Sequence, residues 1–191
     1  AVALMLAAAR HVAPANAALK NGEWKRSKYT GIELYEKTVG IVGLGRIGVL
    51  VAQRLSAFGM EVIAYDPYVS PARAAQLGIE LVSLDELLER ADFITVHLPK
   101  TPETLGLIGA EQLARTKKGV VIVNAARGGL IDEQALADAI NSGQVRAAGL
   151  DVFATGEHHN PPFAAPANPP VLLAHLAALT ERLILTTSTT L

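Results

Sequence analysis

A doubly wound α/β domain, with a parallel sheet covered by helices on both faces, is the fold class that three features of the sequence predict. Short β-branched runs alternate with longer amphipathic stretches from Thr38 onward. The runs are apolar on both faces, as strands sandwiched between helices must be. Helix-capping residues stand where the alternation needs helices to begin and end. Such alternation builds βαβ units, and hence a parallel sheet.

The elements follow in order. Ala1 to Leu19 is apolar and reads as an opening helix. Asn21 to Gly31 (NGEWKRSKYTG) is polar and carries glycine at Gly22 and Gly31, which marks a surface connector. TVGIVG is the first strand, IGVLVAQRLSAFG the helix after it, and EVIAYD the second strand. Ser83 caps LDELLERA, and DFITVHL follows as a strand. Thr104 stands near the start of a short irregular stretch. VVIVNA is another strand, Asp132 caps EQALADAI ahead of Gly143, and AAGLDVF closes the readable alternation. Gly156 to Pro170 is rich in Pro, Ala, Asn and His without a period, and Leu183 to Leu191 carries no readable pattern. The division expected is a leading crossover and dimerisation helix with its linker over 1–30, then the cofactor domain over 31–191.

Composition bounds the function. The chain has 191 residues, half of them hydrophobic and 18% charged, enough to bury the core of one domain. Its formal net charge is -1 and its Lys and Arg residues are scattered, so nucleic acid and anionic membrane are not expected partners. It contains no cysteine, which excludes disulfides, thiolate catalysis and Cys-type zinc sites and suits a cytoplasmic setting. The run AVALMLAAA lacks the basic segment of a signal peptide and is too short to span a bilayer. A chain that opens on a helix already under way is expected to start inside a larger protein.

Gly43-Leu44-Gly45-Arg46-Ile47-Gly48 follows a strand directly and opens an amphipathic helix, the context a G-x-G-x-x-G dinucleotide turn requires. Gly43 permits the tight turn, Gly45 lets the backbone approach a pyrophosphate, and Gly48 lets the helix pack close to the strand. The helix start adds unpaired N–H groups and the positive end of a dipole. Asp66, separated from Gly48 by seventeen residues, ends the second strand. A carboxylate there accepts from the ribose hydroxyls and repels a 2′-phosphate, so NAD is expected over NADP. No G-K-[ST] follows the turn, and a P-loop phosphotransferase is not supported. The sheet is therefore expected to be of Rossmann type.

VGIVGLGRIG, YDPYVSPARAAQLGIELVSLDELLERADFITVHLPKTPET and VNAARGGLIDEQALADAI resemble the D-2-hydroxyacid dehydrogenases, in particular the bacterial branch that acts on D-3-phosphoglycerate. The resemblance runs nearly without gaps to Phe153. It implies NAD-dependent oxidation of D-3-phosphoglycerate to 3-phosphohydroxypyruvate by hydride transfer, at the entry to serine synthesis. It also implies an Arg-Glu-His catalytic set. Arg127, within NAARGGLIDE, takes the place of the arginine, whose planar fork suits a bidentate carboxylate. Cofactor contacts are carried over onto Arg46, Ile47, Leu98, Ala125, Ala126, Arg127 and Asp151.

Beyond Phe153 the pattern departs from the family. One extra residue near Gly156 brings Glu157 and His175 into register together, Glu157 as the carboxylate that raises the histidine's pKa and His175 as the proton-exchanging base beside the cofactor. No proline precedes His175, and Ala177 and Leu179 stand where the family has Gly and Ser. His158 and His159 read as solvated loop residues, and no metal is expected.

The resemblance further implies a substrate domain largely absent from this chain, and a homodimer formed through the cofactor domain with the opening helix taking part. Lys25, Arg26 and Lys28 beside Trp24 either reach a phosphorylated substrate across that dimer or lie in a solvated loop. Two other readings stay open: a dehydrogenase for glycerate, glyoxylate or lactate, and an NAD-binding sensor or corepressor without catalysis, which the departures around His175 favour.

Overall fold

Strand-forming runs at regular intervals have to pair with something, and here they pair with one another in parallel. The structure, a computed structural model, describes residues 1–151 and the backbone of 183–186. Strands β1 (Thr38–Val42), β2 (Glu61–Tyr65), β3 (Glu80–Leu81), β4 (Phe93–Val96), β5 (Val120–Asn124), β6 (Val145–Asp151) and β7 (Leu183–Thr186) form one sheet among the described residues. Their order is β3-β2-β1-β4-β5-β6-β7, and every pairing is parallel. The order reverses direction between β1 and β4, the switch point at which ligands enter doubly wound sheets.

Each intervening helix has a sequence reason. In α3 (Arg46–Ser56), Gly48, Val51, Ala52 and Leu55 are buried at the spacing of one helical face. In α4 (Pro71–Gln76), the Ser70 hydroxyl accepts from the Arg73 N–H and proline takes the first position. Ser83 caps α5 (Leu84–Arg90) by accepting from Glu86 N–H at 3.1 Å. After α6 (Ala110–Arg115), Asp132 caps α7 (Glu133–Ser142) by accepting from Ala135 N–H at 2.9 Å, and Gly143 closes it at φ 81°.

The opening helix differs from expectation. It divides into α1 (Val2–Ala9) and α2 (Val12–Lys20), inclined at 57°, with His11 left-handed at φ 52°. Pro14 is the reason. An unbroken helix would need its missing N–H to donate to the Arg10 carbonyl, against which its ring would collide. Instead Ala15 N–H donates to the His11 carbonyl at 3.0 Å and a new helix starts.

The sheet is buried on both faces. α1 and α3 cover one, with Leu4, Met5 and Leu55 packed on Ile41, Phe93 and Val123. α5, α6 and α7 cover the other, with Leu87, Leu113 and Ile140 packed on Val42, Ile94 and Ile122. α1 lies close enough to β6 that a Cβ on Gly149 would sit 2.9 Å from that of Leu4. The strand β7 had no signal in the sequence, because a short apolar run alone does not distinguish strand from helix. Among the described residues no single helix is long and apolar enough to cross a membrane.

Candidate functional site

Strand register assembles the site. Tyr65 pairs with Val42, Val42 with Val96, Val96 with Asn124 and Asn124 with Leu150, so the carboxyl ends of five strands stand level. The next residues along the chain are Asp66, Gly43, His97, Ala125 and Asp151. They form a row that crosses four strand spacings, about 19 Å. Residues far apart in sequence are thus brought to one edge.

The glycine turn has the geometry a phosphate cradle needs. Gly43 adopts φ 99°, and a Cβ there would lie 2.9 Å from the His97 carbonyl carbon. A Cβ on Gly48 would meet the Gly43 carbonyl oxygen at 2.1 Å, so α3 packs onto the turn only because residue 48 has no side chain. At Gly45, the N-cap of α3, a Cβ would find no atom within 4 Å; the free space lies in front of the helix start. Arg46 and Ile47, the first residues of α3, are exposed beside that space. A buried turn with open space ahead of a helix N-terminus fits the pyrophosphate of a dinucleotide.

Asp66 fixes this turn from the neighbouring strand. One carboxylate oxygen accepts from Leu44 N–H at 2.8 Å and the other from Tyr68 N–H at 2.8 Å. Each oxygen retains a lone pair, so the group can hold the turn and still accept from a ligand hydroxyl. Alongside lies a cavity of about 390 Å³, lined by Gly43, Gly45, Asp66, Tyr68, His97 and Leu98 among others. Its size and mostly apolar lining suit one flat ring system with its sugar. A larger, more open cavity of about 720 Å³ lies against Trp24, Lys25, Arg26, Ser27 and Thr30 and shares no residue with the row.

Farther along the row, Asn124 shapes the turn that carries Arg127. Its side chain accepts from Ala126 N–H at 3.1 Å and donates to the Arg127 carbonyl at 2.9 Å. The Arg127 guanidinium is exposed and donates to the Ala126 carbonyl at 2.8 Å, folded back over its own loop. Behind it, Gly106 N–H donates to the Gly129 carbonyl at 2.7 Å and ties the loop after β4 to the loop after β5. Ala125 and Ala126 are half-buried beside Arg127, Leu98 is buried after β4, and Asp151 ends β6. Glu157 and His175 lie outside the described residues, as do His158 and His159.

Sequence reasoning missed His97, Tyr68 and Asn124, and took Thr104 only as the start of an irregular stretch. Burial holds the His97 imidazole at a pKa of about 4, neutral at physiological pH. Thr104 closes the loop beyond it, accepting from Thr101 N–H at 2.8 Å and donating to the Pro99 carbonyl at 2.7 Å. A His-Leu-Pro run directly after a central strand was the one signal available. Asn124 looked like the last residue of an apolar strand.

Residues 2–177 match the family described as D-isomer specific 2-hydroxyacid dehydrogenase, NAD binding domain. A D-3-phosphoglycerate dehydrogenase of Mycobacterium bovis is 72% identical over 155 residues, covering 81% of this chain and 29% of the relative. The chain therefore spans less than a third of that relative's length. The structure of Salmonella D-lactate dehydrogenase superposes with a TM-score of 0.81 at 30% identity, over 98% of this chain and 56% of the other. The NAD-complexed form of a D-isomer specific 2-hydroxyacid dehydrogenase from Lactobacillus delbrueckii ssp. bulgaricus superposes with a TM-score of 0.80 at 29% identity, over 97% and 56%.

Proposed function

Because the chain belongs to the D-isomer specific 2-hydroxyacid dehydrogenase family, as its NAD-binding domain, we propose that it forms the cofactor half of an enzyme that oxidises D-3-phosphoglycerate to 3-phosphohydroxypyruvate. The observation that carries this reading is the level row at the carboxyl edge. It brings the Asp66 carboxylate, the glycine turn and the loop that carries Arg127 to one edge, in an order that a dinucleotide and its substrate can follow. The choice of phosphoglycerate over lactate rests on the 72% identity to the mycobacterial relative against 30% to the lactate enzyme.

When bound, NAD supplies the hydride acceptor. Asp66 accepts from the adenosine ribose hydroxyls, and the Gly43–Gly48 turn donates backbone N–H groups to the pyrophosphate. Leu98 would contact the cofactor from the cavity beside Asp66, Ala125 and Ala126 from beside Arg127, and Asp151 near the nicotinamide. Arg127 unfolds from its own loop to take the substrate carboxylate in a bidentate grip, which presents C2 to the cofactor and polarises the developing carbonyl. His175 would take the proton of the substrate hydroxyl, and Glu157 would stabilise the imidazolium so formed.

Residues 31–191 constitute the cofactor domain, and 1–30 a leading helix pair and linker that takes part in a homodimer. Lys25, Arg26 and Lys28 then lie where a neighbouring subunit's phosphorylated substrate is within reach. The substrate lobe is supplied by sequence outside these residues, and the enzyme works in the cytoplasm. The test is the initial rate of NADH formation by the full-length protein with D-3-phosphoglycerate, D-glycerate and D-lactate. We expect kcat/KM for phosphoglycerate to exceed the others by about 100-fold or more, as two lost charge-assisted contacts would produce. Equal or faster oxidation of lactate would contradict the substrate, and no turnover of any hydroxy acid would favour a sensor or corepressor, the reading suggested by Ala177 and Leu179.

A further inference from the structure

Thr95 is a hydroxyl in a place built for a methyl group. It sits in the middle of β4 with no exposed surface, two residues from Phe93 on the strand face that α1 and α3 cover with apolar side chains. Valine would fill the same volume without a polar atom to satisfy. Its one hydrogen bond among the described residues joins Oγ1 to Nε2 of His97 at 3.0 Å.

That bond has a required direction. If Nε2 were the donor, the buried hydroxyl proton of Thr95 would be left without an acceptor, a loss that core groups avoid. Thr95 therefore donates, Nε2 accepts, and the ring proton of neutral His97 resides on Nδ1. The His97 main chain is pinned too, its N–H donating to the Val42 carbonyl at 2.7 Å and its carbonyl packed under Gly43. His97 lines the 390 Å³ cavity together with the glycine turn. Nδ1 has no partner among the described residues, so its proton is available to a bound group.

We propose that Thr95 is a positioning residue that holds His97 as the Nδ1–H tautomer, and that this N–H donates to an oxygen of the ribose–phosphate backbone of a bound dinucleotide. The proposal rests on the NAD reading above. Two carboxylates, Asp66 and Glu103, line the same cavity. Burial disfavours the charged ring and keeps it neutral, so its single proton has one assigned place.

The test uses Thr95→Val, Thr95→Ser and the unaltered chain. NAD affinity is measured by calorimetry, and the imidazole tautomer by two-dimensional ¹⁵N–¹H spectra, with His97 assigned from His97→Gln. We expect Thr95→Val to weaken NAD binding roughly tenfold, the scale of one net hydrogen bond, and Thr95→Ser to restore it. Unaltered His97 should show the Nδ1–H tautomer at pH 7, with a resonance that moves when NAD is added. Wild-type affinity in Thr95→Val, equal losses in the Val and Ser variants, or an Nε2–H tautomer would each overturn the proposal. If Thr95→Val does not fold, the tautomer decides alone. Failure of the unaltered chain to bind NAD would instead overturn the cofactor reading, and this proposal with it.

Discussion

Gly48→Ala is expected to eliminate measurable NAD binding and to lower the melting temperature by about 6–12 °C, because the new methyl group has nowhere to go. Its Cβ would lie 2.1 Å from the Gly43 carbonyl oxygen, a backbone atom that cannot rotate away. Relief requires α3 to slide off β1, at the upper end of what overpacking costs, about 3 kcal/mol. In a domain of this size each kcal/mol corresponds to roughly 2–4 °C, which gives the range. The same slide moves the helix N-terminus away from the pyrophosphate.

Gly45→Ala separates the two effects. Its Cβ meets nothing within 4 Å, and its extended backbone at φ -73° is open to any residue. Stability should fall by only about 0.5–1 kcal/mol, the cost of alanine in place of glycine at an N-cap. NAD affinity should still fall at least about tenfold, because the methyl group occupies space that the cofactor needs. Thermal denaturation and calorimetry on the pair check this. Equal melting losses at both positions would contradict the assigned packing.

Arg127→Ala in the full-length protein is expected to lower kcat/KM about 1000-fold while changing the NAD affinity of this chain by less than about tenfold. The first figure corresponds to roughly 4 kcal/mol, the scale of a charge-assisted donor removed from a developing oxyanion. The second follows from the exposure of the guanidinium, whose one hydrogen bond among the described residues is to the carbonyl of Ala126 in its own loop. Arg127→Lys should recover only a small part, since an ammonium keeps the charge but not the planar fork. Steady-state kinetics and calorimetry decide. A variant with near-normal turnover would remove Arg127 from the substrate site.

Much of the fold could be read from local chemistry. Ser83, Asp132 and Gly143 cap helices as their types require, and TVGIV, FITV and VVIVN are buried along their whole length as two-faced apolar runs should be. The break at His11 was harder, because apolar content continues across it while the cause, Pro14, acts through a carbonyl four residues earlier. The glycine turn and Asp66 were legible because their spacing is set by one βαβ unit. That Asp66 also clamps the turn through Leu44 N–H was not, since this contact exists only after β1 and β2 pair. Asn124 and Thr95 were invisible for a related reason. Each is a polar residue at or within an apolar strand, and its meaning comes from partners the folded chain supplies. Glu157 and His175, read from register alone, remain proposals.

Whether this edge binds NAD through Asp66 is decided by calorimetric titration with NAD and NADP, on the chain and on Asp66→Ala. The unaltered chain is expected to show clear preference for NAD. In Asp66→Ala, still folded by circular dichroism, NAD should bind about 30-fold more weakly and NADP no worse than before, since one change removes both the ribose acceptor and the charge that repels a 2′-phosphate. Equal affinity for the two cofactors, or an unchanged NAD affinity in Asp66→Ala, would contradict it.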